Sequence, residues 1–230
     1  MPGRRSAFNA FTKEPGTTSV TRAAKSSRIF AIAAALYVLS CAAAASATLK
    51  KVALELGGKN PQVIFPDSDL ESAADAVAFG IYFNAGECCN SGSRVIVHES
   101  IAKAFTSRVV ELSRKVVFGD PLDPRTQVGA IVSPAHLQKI DAYVREATQA
   151  GAKVELGGTT LSIEGLAGEF YEPTVVSGVT PDMAIAREEV FGPVLAVIKV
   201  KDFEEALAVA NGTAYKLTGG IYSRKPAHLE

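Results

Sequence analysis

Three cysteines in 230 residues leave no material for a disulfide scaffold. No Cys-x-x-Cys occurs, and His98, His136 and His228 stand far apart at no ligand spacing, so no metal site is expected. Neither sign of charge is in excess. The 24 Lys and Arg match 24 Asp and Glu, which offers no electrostatic case for nucleic acid. Residues 51–230 contain no internal repeat and no low-complexity linker, and are expected to form one domain. What is present is apolar material: 47% hydrophobic residues and 11 Phe against 21% charged, enough for a sizeable core and incompatible with disorder or a collagen-like chain.

The balanced charge is unevenly placed. Residues 1–50 carry Arg4, Arg5, Lys13, Arg22, Lys25, Arg28 and Lys50 against one acid, Glu14, which leaves residues 51–230 acidic. Ile29 to Leu49 is uncharged, and the run IFAIAAALYVLSCAAAASA behind its basic flank has two readings. One is a signal, transit or anchor segment, with Ala45-Ser46-Ala47 as an A-x-A cleavage site. The other is an alanine-rich helix buried in a soluble protein, with Cys41 a small buried residue.

After Lys51 short apolar runs alternate with amphipathic segments, the rhythm of an α/β domain. Strands are predicted at Val52–Leu56, Gln62–Phe65, Arg94–His98, Lys153–Leu156, Tyr171–Val176, Val194–Val200 and Gly219–Tyr222. Helices are predicted over Asp69–Phe83 behind a Ser68/Glu71 capping box, and from an N-cap at Ser100 to a stop at Gly119-Asp120-Pro121. Two more run from Ser133-Pro134 to Gly151, and over Phe203–Ala210 behind Asp202.

Two clusters are hard to explain by packing. In Leu54-Glu55-Leu56-Gly57-Gly58-Lys59-Asn60 an acid ends an apolar strand and two glycines follow. The stretch lacks the leading glycine and the Ser/Thr of a phosphate-binding P-loop. In Gly86-Glu87-Cys88-Cys89-Asn90-Ser91-Gly92-Ser93-Arg94 two thiols share a loop of small residues between a helix and a strand. Such a loop can expose a thiol and stabilise its thiolate with backbone amides; burial as a small hydrophobe is the commoner fate of a cysteine.

Together the clusters resemble the glutamate and cysteine signatures of the aldehyde dehydrogenase superfamily, with Glu188-Glu189-Val190-Phe191-Gly192-Pro193-Val194 resembling a third family element in the right order. The resemblance covers roughly residues 42 to 230 and leaves 1–41 as an unmatched basic and apolar segment, read first as a divergent or misassigned gene start, then as a targeting or anchor segment, and last as a new domain. It implies an open three-layer αβα catalytic domain, incomplete at both ends. It implies NAD(P)-dependent oxidation of a small-molecule aldehyde, with Cys89 as nucleophile, Glu55 as the base that activates water, and the Cys89 amide as half of an oxyanion hole. For the cofactor, NAD or NADP, it implies Glu189 at the nicotinamide ribose, Phe191 near the nicotinamide, and the backbone of Leu56 and Gly57 lining the pocket.

The sequence also departs from the family. Most of the nucleotide-binding domain that precedes the glutamate motif has no counterpart, and the C-terminal oligomerisation segment of a homo-oligomeric family is missing. Weak binding of NAD(P) by this chain is therefore expected. Two rival readings remain: a cofactor-independent thiol esterase using the same Cys89 and Glu55, and an inactive fragment or membrane-tethered module. The family default is a cytoplasmic location, with membrane contact only through the N-terminal segment.

Overall fold

The computed structural model describes residues 39–53 and 56–229, which fall in two units divided between Leu56 and Gly57. In the first, residues 39–46 are helical and a turn follows at 47–49. The rest of the apolar run, residues 29–38, lies outside the described residues. Cys41 is exposed, contrary to the burial expected of it. Among the described residues no helix is long and apolar enough to cross a membrane. The expected strand at Val52–Leu56 does not form at its described positions: Val52, Ala53 and Leu56 are irregular and exposed. A strand needs a neighbour for its amides and carbonyls, and none of the strand pairings involves these residues.

The second unit is built on one six-stranded sheet. Its strands are β1 (Pro61–Ile64), β2 (Arg94–His98), β3 (Lys153–Leu156), β6 (Thr174–Ser177), β7 (Val194–Val200) and β8 (Gly220–Tyr222), in the order β3-β6-β7-β2-β1-β8. All neighbours are parallel except β3 and β6. The helices are α1 (Leu70–Tyr82), α2 (Glu99–Ser113), α3 (Pro134–Gln149), α4 (Ala184–Arg187) and α5 (Phe203–Asn211).

Both faces of the sheet are covered, so the central strands read as unbroken apolar runs. Ile64, Val95 and Val97 point into a large core with Ala74, Val77 and Ile81 of α1, Phe105 and Val109 of α2, and Ile140 and Val144 of α3. Val63, Phe65, Ile96 and Val200 point the other way, against Ala206 and Ala210 of α5. The three layers expected from the resemblance are therefore present.

Several boundaries differ for local reasons. Asp69 caps α1, its carboxylate accepting from Ser72 N (3.1 Å), while Ser68 Oγ donates to the Phe65 carbonyl and leaves the capping position. His98 caps α2 by accepting from Ser100 N, and the helix ends at Ser113, before the glycine and proline expected to stop it. The predicted strand Tyr171–Val176 is split into β5 (Phe170–Tyr171), paired with β4 (Thr160–Leu161), and β6, because Pro173 has no amide to continue a ladder.

Candidate active site

Gly57 to Asn60 of the first cluster, the cysteine loop and the Glu189 segment meet at the C-terminal side of α1 and the start of β1. The helix ends in a tight left-handed passage, with φ of +51° at Asn84, +58° at Ala85 and +70° at Gly86, and the loop bearing Cys88 and Cys89 follows at once. Left-handed backbone at a residue with a Cβ costs roughly 1–2 kcal/mol, so this passage persists only because its surroundings hold it.

Asn60 is one of those constraints. Its amide nitrogen donates to the carbonyls of Cys89 and Ser91, both at 2.8 Å, and its oxygen accepts from Thr218 N at 3.0 Å. Gly58 lies so close to the Cys89 carbonyl that a Cβ there would collide with it. The same Gly58 amide donates to Glu189 Oε1 at 2.8 Å. A Cβ on Gly57 would stand 2.7 Å from Glu189 Oε2 and 2.8 Å from the Tyr215 ring. The glycine pair thus lets two other segments, one carrying the thiol and one the carboxylate, lie directly on its backbone. Cys89 is partly exposed, and Cys88 Sγ turns to Asn90 Oδ1 at 2.9 Å.

Two cations lie behind this junction. Arg94 is 2% exposed and donates from Nε and Nη2 to the Lys59 carbonyl, and from its Nη groups to Val209 and Ala210 in α5. Lys59 is also 2% exposed, and its ammonium has no hydrogen-bond partner among the described residues. Burial, reinforced by Arg94, brings the Lys59 pKa down to about 7, with Glu189 and Glu188 opposing. Burial likewise brings Arg94 down to about 10.

On the far side, His136 Nε2 donates to the Phe191 carbonyl at 2.6 Å, and Lys139 Nζ donates to the Glu189 carbonyl at 3.2 Å. Phe191 has φ +61°. Nothing near the three histidines in the sequence marks a partner for them, so the contacts of His136 are not legible there, nor are those of Asn60 and Arg94. The distances that reveal all three link positions between 29 and 158 apart.

Of the residues singled out from sequence, Cys89, Gly57, Glu189 and Phe191 belong to this unit, with Glu189 touching the glycine pair and Cys89 tied to it through Asn60. Leu56 is exposed in the neighbouring unit. Glu55 lies outside the described residues. Among the described residues no His, Cys, Asp and Glu cluster suits a metal ion, and a recess of about 750 Å³ between Arg114, Leu156 and Glu172 is lined by none of the motif residues.

The family model for the aldehyde dehydrogenase family matches residues 36–230. The chain belongs to that family. Over 176 residues it is 42% identical to betaine aldehyde dehydrogenase of Brucella anthropi, covering 76% of this chain and 36% of the relative. Among solved structures, the NAD-dependent aldehyde dehydrogenase from Sinorhizobium meliloti superposes with a TM-score of 0.74 at 50% identity, covering 80% of this chain and 36% of that one. Betaine aldehyde dehydrogenase from Staphylococcus aureus in complex with NAD+ does so with a TM-score of 0.74 at 38% identity, over 80% and 37%. The chain spans little more than a third of the length of these relatives.

Proposed function

We propose that this chain carries the thiol half of an aldehyde-oxidising site that works with NAD or NADP. The observation that carries the reading is the junction at Gly58, whose backbone abuts the Cys89 carbonyl and bonds the Glu189 carboxylate at the same time. A nucleophile and a ribose-binding acceptor held on one rigid dipeptide are what such chemistry needs, since orientation supplies a large part of the barrier reduction.

The residues present fit the reacting end of the cofactor. A carboxylate has about four acceptor positions, so Glu189 can hold Gly58 N and still accept from a pair of ribose hydroxyls. The Phe191 ring stands on the adjoining turn, and Leu56 and Gly57 contribute backbone. When bound, NAD(P) supplies the acceptor for a hydride. The Cys89 thiolate adds to the aldehyde carbonyl to form a thiohemiacetal, and the Cys89 amide donates to the oxyanion. After oxidation to the thioester, Glu55 takes a proton from water, which attacks the acyl carbon and frees the thiol with the carboxylate product.

The test uses the 230-residue chain. Iodoacetamide, with alkylation read by peptide mass spectrometry, should find a fast thiol that is lost in Cys89→Ser and kept in Cys88→Ser. NADH formation from a simple aldehyde should be abolished by Cys89→Ser, whereas Glu55→Gln should stop it after about one equivalent per chain, because hydride leaves before Glu55 acts. Equal alkylation of both thiols, or ester hydrolysis that is indifferent to Cys89→Ser, would sink the assignment.

A further inference from the structure

Two strained stretches of backbone meet at the site, and one imidazole sits on the second of them beside the residue that follows the first. The first is the left-handed passage Asn84-Ala85-Gly86 that leads into the thiol loop; the second is Phe191, a bulky residue at φ +61°. They are in direct backbone contact, because a Cβ on Gly86 would strike the Gly192 carbonyl. Gly192 in turn is pressed against Ile140 of α3, whose Cδ1 would stand 2.5 Å from an added Cβ.

His136 lies one helical turn before Ile140, in the first turn of α3, where Ser133 Oγ accepts from its backbone amide at 3.3 Å. Its ring meets the second strained residue directly and comes near Glu87, the residue that follows the left-handed passage. Nε2 donates to the Phe191 carbonyl, and the ring meets the Phe191 ring edge to face at 71° and 5.9 Å. The same Nε2 is 3.6 Å from Glu87 Oε1. Glu87 stands two residues before Cys89, and its carboxylate also accepts from Val132 N at 3.1 Å. Because a carbonyl can only accept, Nε2 carries the proton, and the carboxylate beside it favours that arrangement.

We propose that His136 is a positioning residue that locks the Phe191 turn and the thiol loop against each other, so that the nucleophile and the ring beside the nicotinamide hold one relative placement. The importance of that placement rests on the reading of Cys89 and Phe191 given above. A left-handed Phe191 has no intrinsic reason to persist; a short bond to its carbonyl from a side chain anchored on a sixteen-residue helix supplies one. Glu87 extends the hold to the loop that bears the thiol, because its carboxylate accepts from Val132 N immediately before the Ser133 cap of α3; its 3.6 Å approach to Nε2 is too long for a hydrogen bond.

The experiment compares His136→Leu, which keeps the bulk and removes the donor, with His136→Gln, whose amide can still reach the carbonyl. Amide hydrogen exchange over residues 84–92 and 188–194 reads the lock, and the rate of Cys89 alkylation reads its effect on the thiol. In His136→Leu, exchange should rise about tenfold or more in both stretches together, and the Cys89 rate should shift by about fivefold; His136→Gln should return both to within about twofold of the parent. Loosening confined to one stretch, an unchanged Cys89 rate where the parent thiol is fast, or a glutamine variant as loose as the leucine one, overturns the proposal. If His136→Leu does not fold, His136→Asn, whose amide is too short to reach, takes its place with the same expectations. A parent whose Cys89 is slow and which forms no NADH refutes the proposed function instead, and the two exchange stretches then decide the lock.

Discussion

Gly58 is the residue with least freedom to change. Its Cβ would enter the Cys89 carbonyl and stand 2.9 Å from the Asn60 amide, and both neighbours are held in turn by hydrogen bonds. Gly58→Ala should therefore lower stability by about 2 kcal/mol or more, seen as a lower urea midpoint, and should slow alkylation of Cys89 as the loop is pushed away. Lys59 makes the opposite kind of prediction. Its pKa is depressed by burial from 10.5 to about 7, so between those values the unfolded chain binds a proton that the folded chain does not. Stability should then rise with pH across that window, with a penalty on the order of 4 kcal/mol fully present below pH 7. Lys59→Met should raise the urea midpoint at pH 7 and flatten its rise up to pH 10. A variant whose midpoint climbs as steeply as the parent's would assign the slope to another group.

At the scale of elements, helix ends show how near a pattern can come to the right residue while choosing its neighbour. Ser68 and Asp69 are both good caps, and Ser68 has Glu71 at the capping-box spacing. The structure uses Asp69, because the Ser68 hydroxyl is taken by the Phe65 carbonyl at the end of β1. Asp69→Ala should cost about 1 kcal/mol by chemical denaturation, and Ser68→Ala clearly less, since only the former frees an α1 amide. The third and last predicted helices needed no such revision: Ser133 and Asp202 accept from His136 N and Glu205 N as their sequences suggested. Strands were legible where both faces are buried, as in β2 and β7, and the half-buried edge strand β3 also has the bounds expected of it. Val52–Leu56 looked equally strand-like, but apolar composition cannot supply the neighbouring strand that its backbone requires.

On the scale of the whole unit, Arg94 joins layers that the sequence keeps far apart. One guanidinium bonds the Lys59 carbonyl before β1 and the Val209 and Ala210 carbonyls in α5, so it binds the glutamate motif, the central sheet and the helix on its second face. Arg94→Lys keeps the charge but cannot reproduce a planar fork of donors. It should cost about 2–4 kcal/mol in a urea titration, because buried carbonyls lose their donors and the remaining ammonium is poorly paired. A loss below about 0.5 kcal/mol would mean that water takes over those carbonyls.

Composition, periodicity and three ordered motifs were sufficient to establish an α/β domain, most of its strands and helices, and the family, because these depend on local propensity and on residue types at fixed spacing. The meeting of Gly58, Cys89 and Glu189, the anchoring by Asn60 and Arg94, and the lock at His136 were decided only by tertiary structure. Those contacts join residues separated by 29 to 158 positions, and no local pattern encodes which buried donor will find which distant carbonyl or carboxylate. The left-handed backbone at Ala85 and Phe191 belongs to the same class: nothing in either side chain favours it, and only the packing of one segment on the other makes it the lowest-energy choice.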